Sequence, residues 1–273
     1  MVSISSYENK VHGVSIVIPV LNEAENIKTL ISGIESIKKG TYGKYVNEVI
    51  FVDDGSSDGT VQLIKDISKE INSFSIRVIE RDIKRGTVNA QLHGISVAEN
   101  EAVIIMDGDL QHPVTYIEKL VEEYMHGYDL VVASRYVAGG KTKRTVMHGL
   151  ISRGANILAK FMLPWVKKVK DPISGFFIVN RKIVPYNLIV NGFNKLALYI
   201  LTCRSGVGVS EIPFAFEERS RGKSKVSTGG IYFMVKYVGE LRYYRYLRRV
   251  INGNRKPVSS SSEYESYWLG RIN

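Results

Sequence analysis

Short apolar runs alternate with helical patterns over the first 135 residues of the chain. Five runs are rich in β-branched residues and nearly continuous in apolar character, which is typical of strands covered on both faces of a sheet: 14–20, 48–54, 75–80, 102–107 and 129–135. Apolar residues recur at helical spacing over 24–37 and 60–71, with Asn22 and Asp58 at the expected N-cap positions. The alternation predicts an α/β fold with a Rossmann-like, mostly parallel sheet and flanking helices.

The pattern changes after Arg135. A Gly-Gly pair and a basic loop are followed by a predicted helix over 148–161, a strand over 173–180, a helix over 195–203, a strand over 211–216 and a last helix from about 230 to 250. Serine-rich residues near the end are typical of a disordered tail. We therefore expect an N-terminal extension (1–13), one α/β domain (14–228), a basic, tyrosine-rich helix (229–256) and a disordered tail (257–273).

The composition, 44% hydrophobic and 23% charged, is that of a globular protein. The lone Cys203 excludes an internal disulfide or a cysteine-based zinc site, which fits a reducing compartment. No apolar run approaches the roughly 18 residues of a spanning helix, and the first residues lack the apolar core of a signal peptide. We expect a protein without a transmembrane helix or signal peptide.

The net charge of +10 is unevenly distributed. Residues 135–170 contain nine basic residues and no acid, and residues 219–256 contain eleven against the single acid Glu240, so the remainder is net acidic. In the last predicted helix, Arg242, Arg245 and Arg249 form one stripe that tyrosines surround, an arrangement suited to a membrane interface. Val235 and Val238 lie along the same stripe, which favours core packing for the first half of this helix.

The sharpest chemical feature is MDGDLQHP (106–113), directly after a predicted buried strand. If the backbone stays extended, Asp107, Asp109 and Gln111 point to the same side. Three oxygen donors at the carboxyl end of a strand predict a site for a hard divalent cation. The alternative is a turn that caps a helix starting near Pro113.

Two further segments end strands at the same predicted edge. VDDGSSDGT (52–60) offers carboxylates for a base or a ribose, or else forms an ordinary turn, and IPVLNEAEN (18–26) offers Leu21 and Glu23 to the same crevice. Neither a P-loop nor a dinucleotide-binding glycine motif occurs. The five histidines are scattered, and only His112 adjoins a predicted site residue.

Seven segments in this order resemble the family-2 GT-A glycosyltransferases: IPVLNEAEN, VDDGSSDGT, MDGDLQHP, ASRY (133–136), ISRGAN (151–156), DPISGFF (171–177) and EERSRGKSKVS (217–227). The last three look like the dolichyl-phosphate mannose synthase branch of that family. The resemblance implies a GT-A fold and an inverting transfer of a hexose from a nucleotide diphosphate sugar to the phosphate of a membrane polyprenol such as dolichyl phosphate. Mannose from GDP-mannose is the expected sugar.

The resemblance also assigns residues. It implies Asp109, Arg135 and Arg219 as catalytic, and Mg²⁺ or Mn²⁺ bound by Asp107, Asp109 and Gln111. The lipid phosphate would be held by Arg135, Arg153 and Arg219. The nucleotide sugar would be held by Pro19, Leu21, Glu23, Val52, Asp53, Asp54, Asp107, Gly108, Asp109, Gln111, Arg135, Lys195, Arg219 and Lys225.

A lipid acceptor implies a peripheral protein on the cytoplasmic face of a membrane, held by its own basic surface or by a small membrane-anchoring subunit. Three alternatives remain open: a related enzyme acting on a soluble glycan, a glucosyltransferase that uses UDP-glucose, and a nucleic-acid-binding protein that exploits the basic half. The Glu-Asp dipeptide and the Q-x-x-R-W motif of polysaccharide-forming relatives do not occur here, which disfavours the first. We expect no nucleic-acid partner.

Overall fold

The computed structural model describes residues 11–81, 86–142, 146–186, 195–217 and 230–252. The strands are β1 (Val14–Val20), β2 (Val46–Asp53), β3 (Ser75–Glu80), β4 (Ala102–Ile105), β5 (Leu130–Ser134), β6 (Lys141–Thr142), β7 (Phe177–Asn180), β8 (Val209–Pro213) and β9 (Ala215–Phe216). The helices are α1 (Ala24–Ile37), α2 (Thr60–Ser68), α3 (Thr87–Val97), α4 (Tyr116–Met125), α5 (Val146–Met162), α6 (Leu196–Cys203) and α7 (Gly230–Asn252). Short 3₁₀ turns cover 43–45, 164–166 and 181–183.

Seven strands form one sheet in the order β3-β2-β1-β4-β7-β5-β8. All neighbouring pairs are parallel except those of β7, which runs antiparallel between β4 and β5. Strands β6 and β9 form a separate parallel pair. The predicted α/β fold with a mostly parallel sheet is confirmed.

The five predicted strands of the first half are all present, within two residues at either end. The predicted strand over 173–180 is shorter, because only 177–180 pair with neighbours. The predicted strand over 211–216 is divided at Phe214, whose backbone bonds both Ser134 and Lys141 where the chain passes from the large sheet to the small one. The pattern did not delimit α3, which carries small and polar residues such as Ala90, Gln91 and Gly94 on its buried side.

The two faces of the sheet carry two apolar cores, as alternation along buried parallel strands requires. Helices α1, α2 and α4 cover one face, and α3, α5, α6 and α7 cover the other. Strand β1 shows the alternation, because Ile16 and Ile18 belong to the first core and Val17 belongs to the second. Cys203 is buried in the second core, where burial raises the pKa of its thiol to about 12.

Helix α7 packs into the molecule over the part whose side chains are described, 238–250. Leu241 and Leu247 are fully buried in the second core, so core packing extends over the second half of the helix. Arg242, Arg245 and Arg249 are exposed, as the predicted stripe requires. The tyrosine prediction is wrong for Tyr243 and Tyr244, which are buried in the second core, where Tyr244 packs against Tyr199 of α6. Tyr232, Val235 and Tyr237 lie outside the described side chains.

Among the helices that the structure describes, none combines the length and the apolar character needed to cross a bilayer.

Candidate active site

The carboxyl ends of β1, β2 and β4 meet at one edge of the sheet because these strands are parallel neighbours. Backbone hydrogen bonds extend the pairing into the loops: the Asp54 N–H donates to the Val20 carbonyl at 3.0 Å, and the Met106 N–H donates to the Val17 carbonyl at 3.3 Å. A Cβ on Gly108 would lie 3.2 Å from a methyl of Val20. The turn after β4 therefore presses against the end of β1, and glycine permits this close approach.

The loops after β1 and β2 are joined by side chains. Asp58 accepts hydrogen bonds from the N–H groups of Ala24 at 3.0 Å and Thr60 at 3.1 Å, the first residues of α1 and α2. The Thr60 hydroxyl in turn accepts the Glu23 N–H at 2.9 Å. Burial raises the pKa of Asp58, but its hydrogen bonds together lower the pKa by more, so the net pKa lies below the usual value.

The N-cap prediction is wrong for both helices. The N-cap residues are Glu23 and Gly59, and neither supplies a side-chain cap. Gly59, the N-cap of α2, adopts a left-handed φ of 88°. Asp58 lies one residue before this N-cap, and the Asp58 carboxylate still accepts the N–H of Thr60, the first residue of α2. Asn22, with φ of 57°, accepts the Ser57 N–H at 2.8 Å instead of capping α1. Positive φ at a non-glycine residue is strained, and such strain is often found in binding loops.

The residues predicted to hold the base and ribose divide into a partly exposed group on the loop after β1 and a buried group at the end of β2. Pro19, Leu21 and Glu23 lie partly exposed along the edge. Val52 is fully buried in the core, so it can present only its backbone to a ligand. Asp53 accepts the Gly55 and Ser56 N–H groups, both at 2.9 Å, and so shapes the turn after β2.

Asp54 is paired with Arg81, which sequence reasoning missed. Their closest atoms, Oδ1 and Nη1, are 2.9 Å apart, and both side chains are almost entirely buried. Arg81 directly follows β3, the strand next to β2, so its position after a neighbouring strand was a usable signal. The pair holds the Arg81 guanidinium in a fixed position beside the proposed nucleotide site.

Strand β4 ends at Ile105, and residues 107–111 form a turn instead of continuing the strand. The extended geometry predicted for Asp107, Asp109 and Gln111 is therefore wrong, although the three stay together: Asp109 Oδ1 accepts the Gln111 N–H at 3.1 Å. Leu110 adopts a φ of 64° within this turn. Asp107 is partly exposed, whereas Asp109 is buried. The alternative of a helix cap is also wrong, since α4 begins only at Tyr116.

His112 fixes the backbone of this turn. Its Nδ1 accepts the Asp107 N–H at 2.9 Å, and its ring stacks on Phe176 with a centroid distance of 5.0 Å. Burial lowers the pKa of His112, so the ring is neutral with its proton on Nε2. A Cβ on Gly175 would lie 3.6 Å from both Asp107 Oδ2 and the His112 ring, which sets the 171–176 loop beside the turn.

Gln111 connects the turn to the end of β9. Its carbonyl accepts the Glu217 N–H at 3.2 Å, and its side-chain amide donates to the Glu217 carbonyl at 3.4 Å. The amide oxygen is then the atom of this side chain that can act as a ligand. The predicted Arg219 and Lys225 lie outside the described residues.

Arg135 is held rigidly by Asp171, a partner that the sequence did not reveal. Nε and Nη2 of the guanidinium donate to the two carboxylate oxygens at 2.7 and 2.8 Å, and the Arg135 N–H adds a third bond at 3.1 Å. Burial lowers the pKa of Arg135, but the hydrogen bonds and charge of Asp171 outweigh it and raise the net pKa. Glu211 in turn accepts the backbone N–H groups of Asp171 at 2.9 Å and Lys170 at 2.7 Å.

The Arg135 pair lies close to the 107–111 turn. The Phe216 ring is 5.8 Å from the Arg135 guanidinium and 5.6 Å from the His112 ring, so it contacts both, and the Arg135 charge contributes to the lowered pKa of His112. Lys195 is exposed at the start of α6, and its charge contributes to the lowered pKa of His112. Arg153 is exposed on α5.

A mostly parallel α/β sheet whose strand ends gather paired carboxylates and oriented guanidinium groups is the arrangement expected of a glycosyltransferase of the GT-A fold. The chain belongs to glycosyl transferase family 2, whose sequence profile matches residues 15–185.

Two relatives agree with the family assignment, and a solved structure agrees with the fold. The chain is 35% identical to the dolichol-phosphate mannosyltransferase of Pyrococcus furiosus over 84% of its length, and it spans 63% of that relative. It is 31% identical to the dolichol-phosphate mannosyltransferase of Saccharomyces cerevisiae, with 85% of this chain and 88% of the yeast protein covered. Glucosyl-3-phosphoglycerate synthase from Mycobacterium tuberculosis, crystallised with Mn²⁺, UDP-glucose and phosphoglyceric acid, superposes with a TM-score of 0.66 at 19% identity, covering 89% of this chain and 83% of that one.

Proposed function

We propose that this glycosyltransferase moves a mannosyl group from GDP-mannose to the phosphate of a membrane polyprenol such as dolichyl phosphate. The observation that carries the proposal is the 107–111 turn, which sets two carboxylates at the end of a central strand, close to the Arg135–Asp171 pair. The names of the archaeal and yeast relatives support mannose as the sugar and dolichyl phosphate as the acceptor.

The nucleotide would occupy the edge formed by β1 and β2. Pro19 and Leu21 offer partly exposed apolar surface to a base, and Glu23 with Asp54 offers acceptors for its polar edge or the ribose. Asp53 keeps the turn in shape through its bonds to Gly55 and Ser56.

The turn also suits a divalent cation, Mg²⁺ or Mn²⁺. Within the described residues, no group of three or more histidine, cysteine, aspartate or glutamate side chains is placed to hold a metal ion. Asp107, Asp109 and the Gln111 amide oxygen would supply the protein ligands, and water and substrate phosphate oxygens would supply the others, as is usual for Mg²⁺. When bound, the ion would offset the negative charge that develops on the leaving diphosphate.

The reaction needs no strong base from the protein. An oxygen of the acceptor phosphate would attack the anomeric carbon, and the bond from that carbon to the diphosphate would break, with inversion and release of GDP. A phosphate ester already carries negative oxygens near neutral pH, its second pKa being about 6. His112 is unsuited to be the base, because it is buried and its Nδ1 is occupied by the Asp107 N–H.

Arginine and lysine side chains would hold the diphosphate of the donor and the phosphate of the acceptor. Arg135 has a fixed orientation because Asp171 binds two of its nitrogens, and a preorganised charge stabilises a transition state better than a mobile one. Arg153, Lys195, Arg219 and Lys225 are the further proposed phosphate-binding residues. The lipid acceptor implies a peripheral enzyme on the cytoplasmic face of a membrane, and a small anchoring subunit is the proposed protein partner.

The direct test is sugar transfer to a short polyprenyl phosphate, with GDP-mannose, UDP-glucose and UDP-N-acetylglucosamine offered separately in Mg²⁺, Mn²⁺ or chelator. We expect a mannosyl product from GDP-mannose alone. Chelation and Asp109→Asn should each lower the rate at least about a hundredfold, because charge on the leaving group is no longer balanced. Asp66→Asn, an exposed aspartate on α2, is the matched control and should leave the rate unchanged.

Two results would contradict the proposal. Product from UDP-glucose only would overturn the donor. Metal-dependent nucleotide binding without any lipid-linked product would overturn the acceptor and favour a soluble glycan.

A further inference from the structure

Glu211 holds the short loop segment that carries Asp171. It lies on β8, the edge strand next to β5. Its two carboxylate oxygens accept the N–H groups of Asp171 at 2.9 Å and Lys170 at 2.7 Å. The Lys170 carbonyl in turn accepts hydrogen bonds from Asn156 Nδ2 at 2.6 Å and Lys160 Nζ at 2.8 Å, both on α5. Residues 170–171 are therefore fixed between β8 and α5.

A carboxylate is the side chain best suited to this place. Lys170 and Asp171 lie in the loop before β7, outside the hydrogen-bonded ladders of the sheet. Buried backbone N–H groups need acceptors, and Asp171 is fully buried. One carboxylate can accept two neighbouring N–H groups with its two oxygens, and such charge-assisted bonds are stronger than neutral ones. A glutamine has a single acceptor oxygen, so its amide nitrogen would face one of the two N–H donors.

The segment that Glu211 holds determines where the Arg135 guanidinium points. Asp171 accepts three hydrogen bonds from Arg135, two of them from the guanidinium nitrogens. Glu211 is in register with Val132, three residues before Arg135 on the neighbouring strand. Both ends of this chain of contacts are thus anchored in one pair of strands. A shift of the Asp171 carboxylate would turn the guanidinium with it.

We propose that Glu211 is a positioning residue of the transfer reaction, acting through Asp171 and Arg135 without touching the substrate. The inference rests on the proposed function, which places Arg135 against the phosphate groups. A charge stabilises a transition state best when it is already oriented, and a misplacement of about 1 Å can lower a rate about a hundredfold. Loss of Glu211 should therefore lower kcat and leave nucleotide binding at the ends of β1 and β2 unchanged.

The first test is the kinetics of sugar transfer from GDP-mannose to a short polyprenyl phosphate by the full chain. Glu211→Gln should lower kcat about ten- to a hundredfold and change the KM for GDP-mannose by less than about twofold. The matched control is Glu123→Gln on α4. Glu123 accepts the hydroxyl of Ser210, the neighbour of Glu211 on β8, at 2.6 Å, so the control changes a carboxylate on the same strand and should keep the wild-type kcat. An unchanged kcat in Glu211→Gln, or a raised KM alone, would overturn the proposal.

A double-mutant cycle separates positioning from a general loss of structure. Arg135→Lys removes the bidentate pairing with Asp171, through which Glu211 acts. Adding Glu211→Gln to Arg135→Lys should therefore lower kcat by less than about twofold. Glu211→Asp keeps the charge but is one methylene shorter, so it should give an intermediate loss, and it takes the place of the glutamine variant if that variant does not fold. An equal loss in both backgrounds would refute the positioning role, because Glu211 would then act on folding alone.

Hydrogen exchange at Arg135 Nε gives a readout that does not depend on any substrate. This N–H donates to Asp171 at 2.7 Å and Arg135 is buried, so its proton should exchange slowly with water. In protein labelled with ¹⁵N-arginine, Glu211→Gln should speed this exchange at least about tenfold, and the signal is assigned by its loss in Arg135→Lys. Exchange at the wild-type rate would overturn the proposal. Faster exchange in Glu211→Gln, with a wild type that makes no mannosyl lipid, would contradict the proposed function alone.

Discussion

At the scale of residues, the buried ion pair between Arg135 and Asp171 combines rigidity with charge. The Asp171 side chain is fully buried, and all the hydrogen bonds described for it come from the Arg135 backbone and guanidinium. Desolvating two charges is costly, so the pair contributes orientation more than net stability. Removing one partner is a different matter, because it leaves the other charge buried alone.

We therefore expect Asp171→Ala to lower the free energy of unfolding by about 3–5 kcal/mol, measured by urea denaturation. The exposed Asp66→Ala, which removes a surface pair with Lys69, should change it little. Replacing both members of the buried pair, as Arg135→Met with Asp171→Leu, should recover much of the loss. Equal destabilisation by the single and double variants would show that packing, not the unpaired charge, is responsible.

The residues that could be predicted from the sequence are those whose chemistry is local. Asp107, Asp109 and Gln111 are close together in the chain, so their spacing alone indicated that they would lie together, as they do in the 107–111 turn. Arg81 pairs with Asp54 and Asp171 pairs with Arg135, across gaps of 27 and 36 residues that only the fold closes. The turn geometry at Leu110 was also beyond prediction, because a positive φ at leucine has no sequence signature.

At the scale of elements, α3 packs unusually close to the sheet. A Cβ on Gly94 would lie 2.4 Å from a methyl of Val17 and 3.1 Å from a methyl of Val52. Val17 and Val52 belong to β1 and β2, the strands whose following loops we propose to bind the nucleotide. This contact explains a glycine in the middle of a helix, where it otherwise costs about 1 kcal/mol relative to alanine.

Substituting Gly94 by alanine should therefore destabilise the protein by about 1–3 kcal/mol, because the added methyl overpacks the core. Gly239, in the middle of α7, has nothing within 4 Å of the position of a Cβ. Gly239→Ala should instead stabilise by about 0.5–1 kcal/mol through helix propensity. Thermal unfolding of the two variants checks the opposite signs, and stabilisation by Gly94→Ala would refute the close packing.

The strands of the first half were predictable because each is a continuous apolar run. Their order was less so, since β7 lies between β4 and β5 although it follows both along the chain. Apolar content alone does not encode which strand pairs with which. The bounds of helix α3 were not predicted, because its buried side consists of small and polar residues instead of a stripe of large apolar ones.

At the scale of the whole molecule, α7 is part of the domain that begins at β1. Its Tyr244 is 1% exposed and packs against Tyr199 of α6, with ring centroids 6.2 Å apart. The boundary that we place at residue 228 therefore separates sequence patterns more than it separates folding units.

We expect Tyr244→Ala to lower the stability of the entire protein by about 3–5 kcal/mol, in a single unfolding transition. The neighbouring Arg245 is exposed, and Arg245→Ala should change stability by less than about 0.5 kcal/mol. Circular dichroism and intrinsic fluorescence followed in the same urea titration provide the measurement. Two separate transitions, with only the first shifted by Tyr244→Ala, would instead make α7 an independent unit.

The antiparallel strand β7 has a consequence for how the chain is made. Strands β4 and β5 share no hydrogen-bonded edge, and Phe177–Asn180 is the segment that joins them. A ribosome that has released the first 135 residues has supplied β1 to β5, yet β5 has no neighbour until about 45 more residues emerge. The β3-β2-β1-β4 half of the sheet can form early. The sheet is completed, and the Arg135–Asp171 pair can form, only after residues 171–180 have been synthesised.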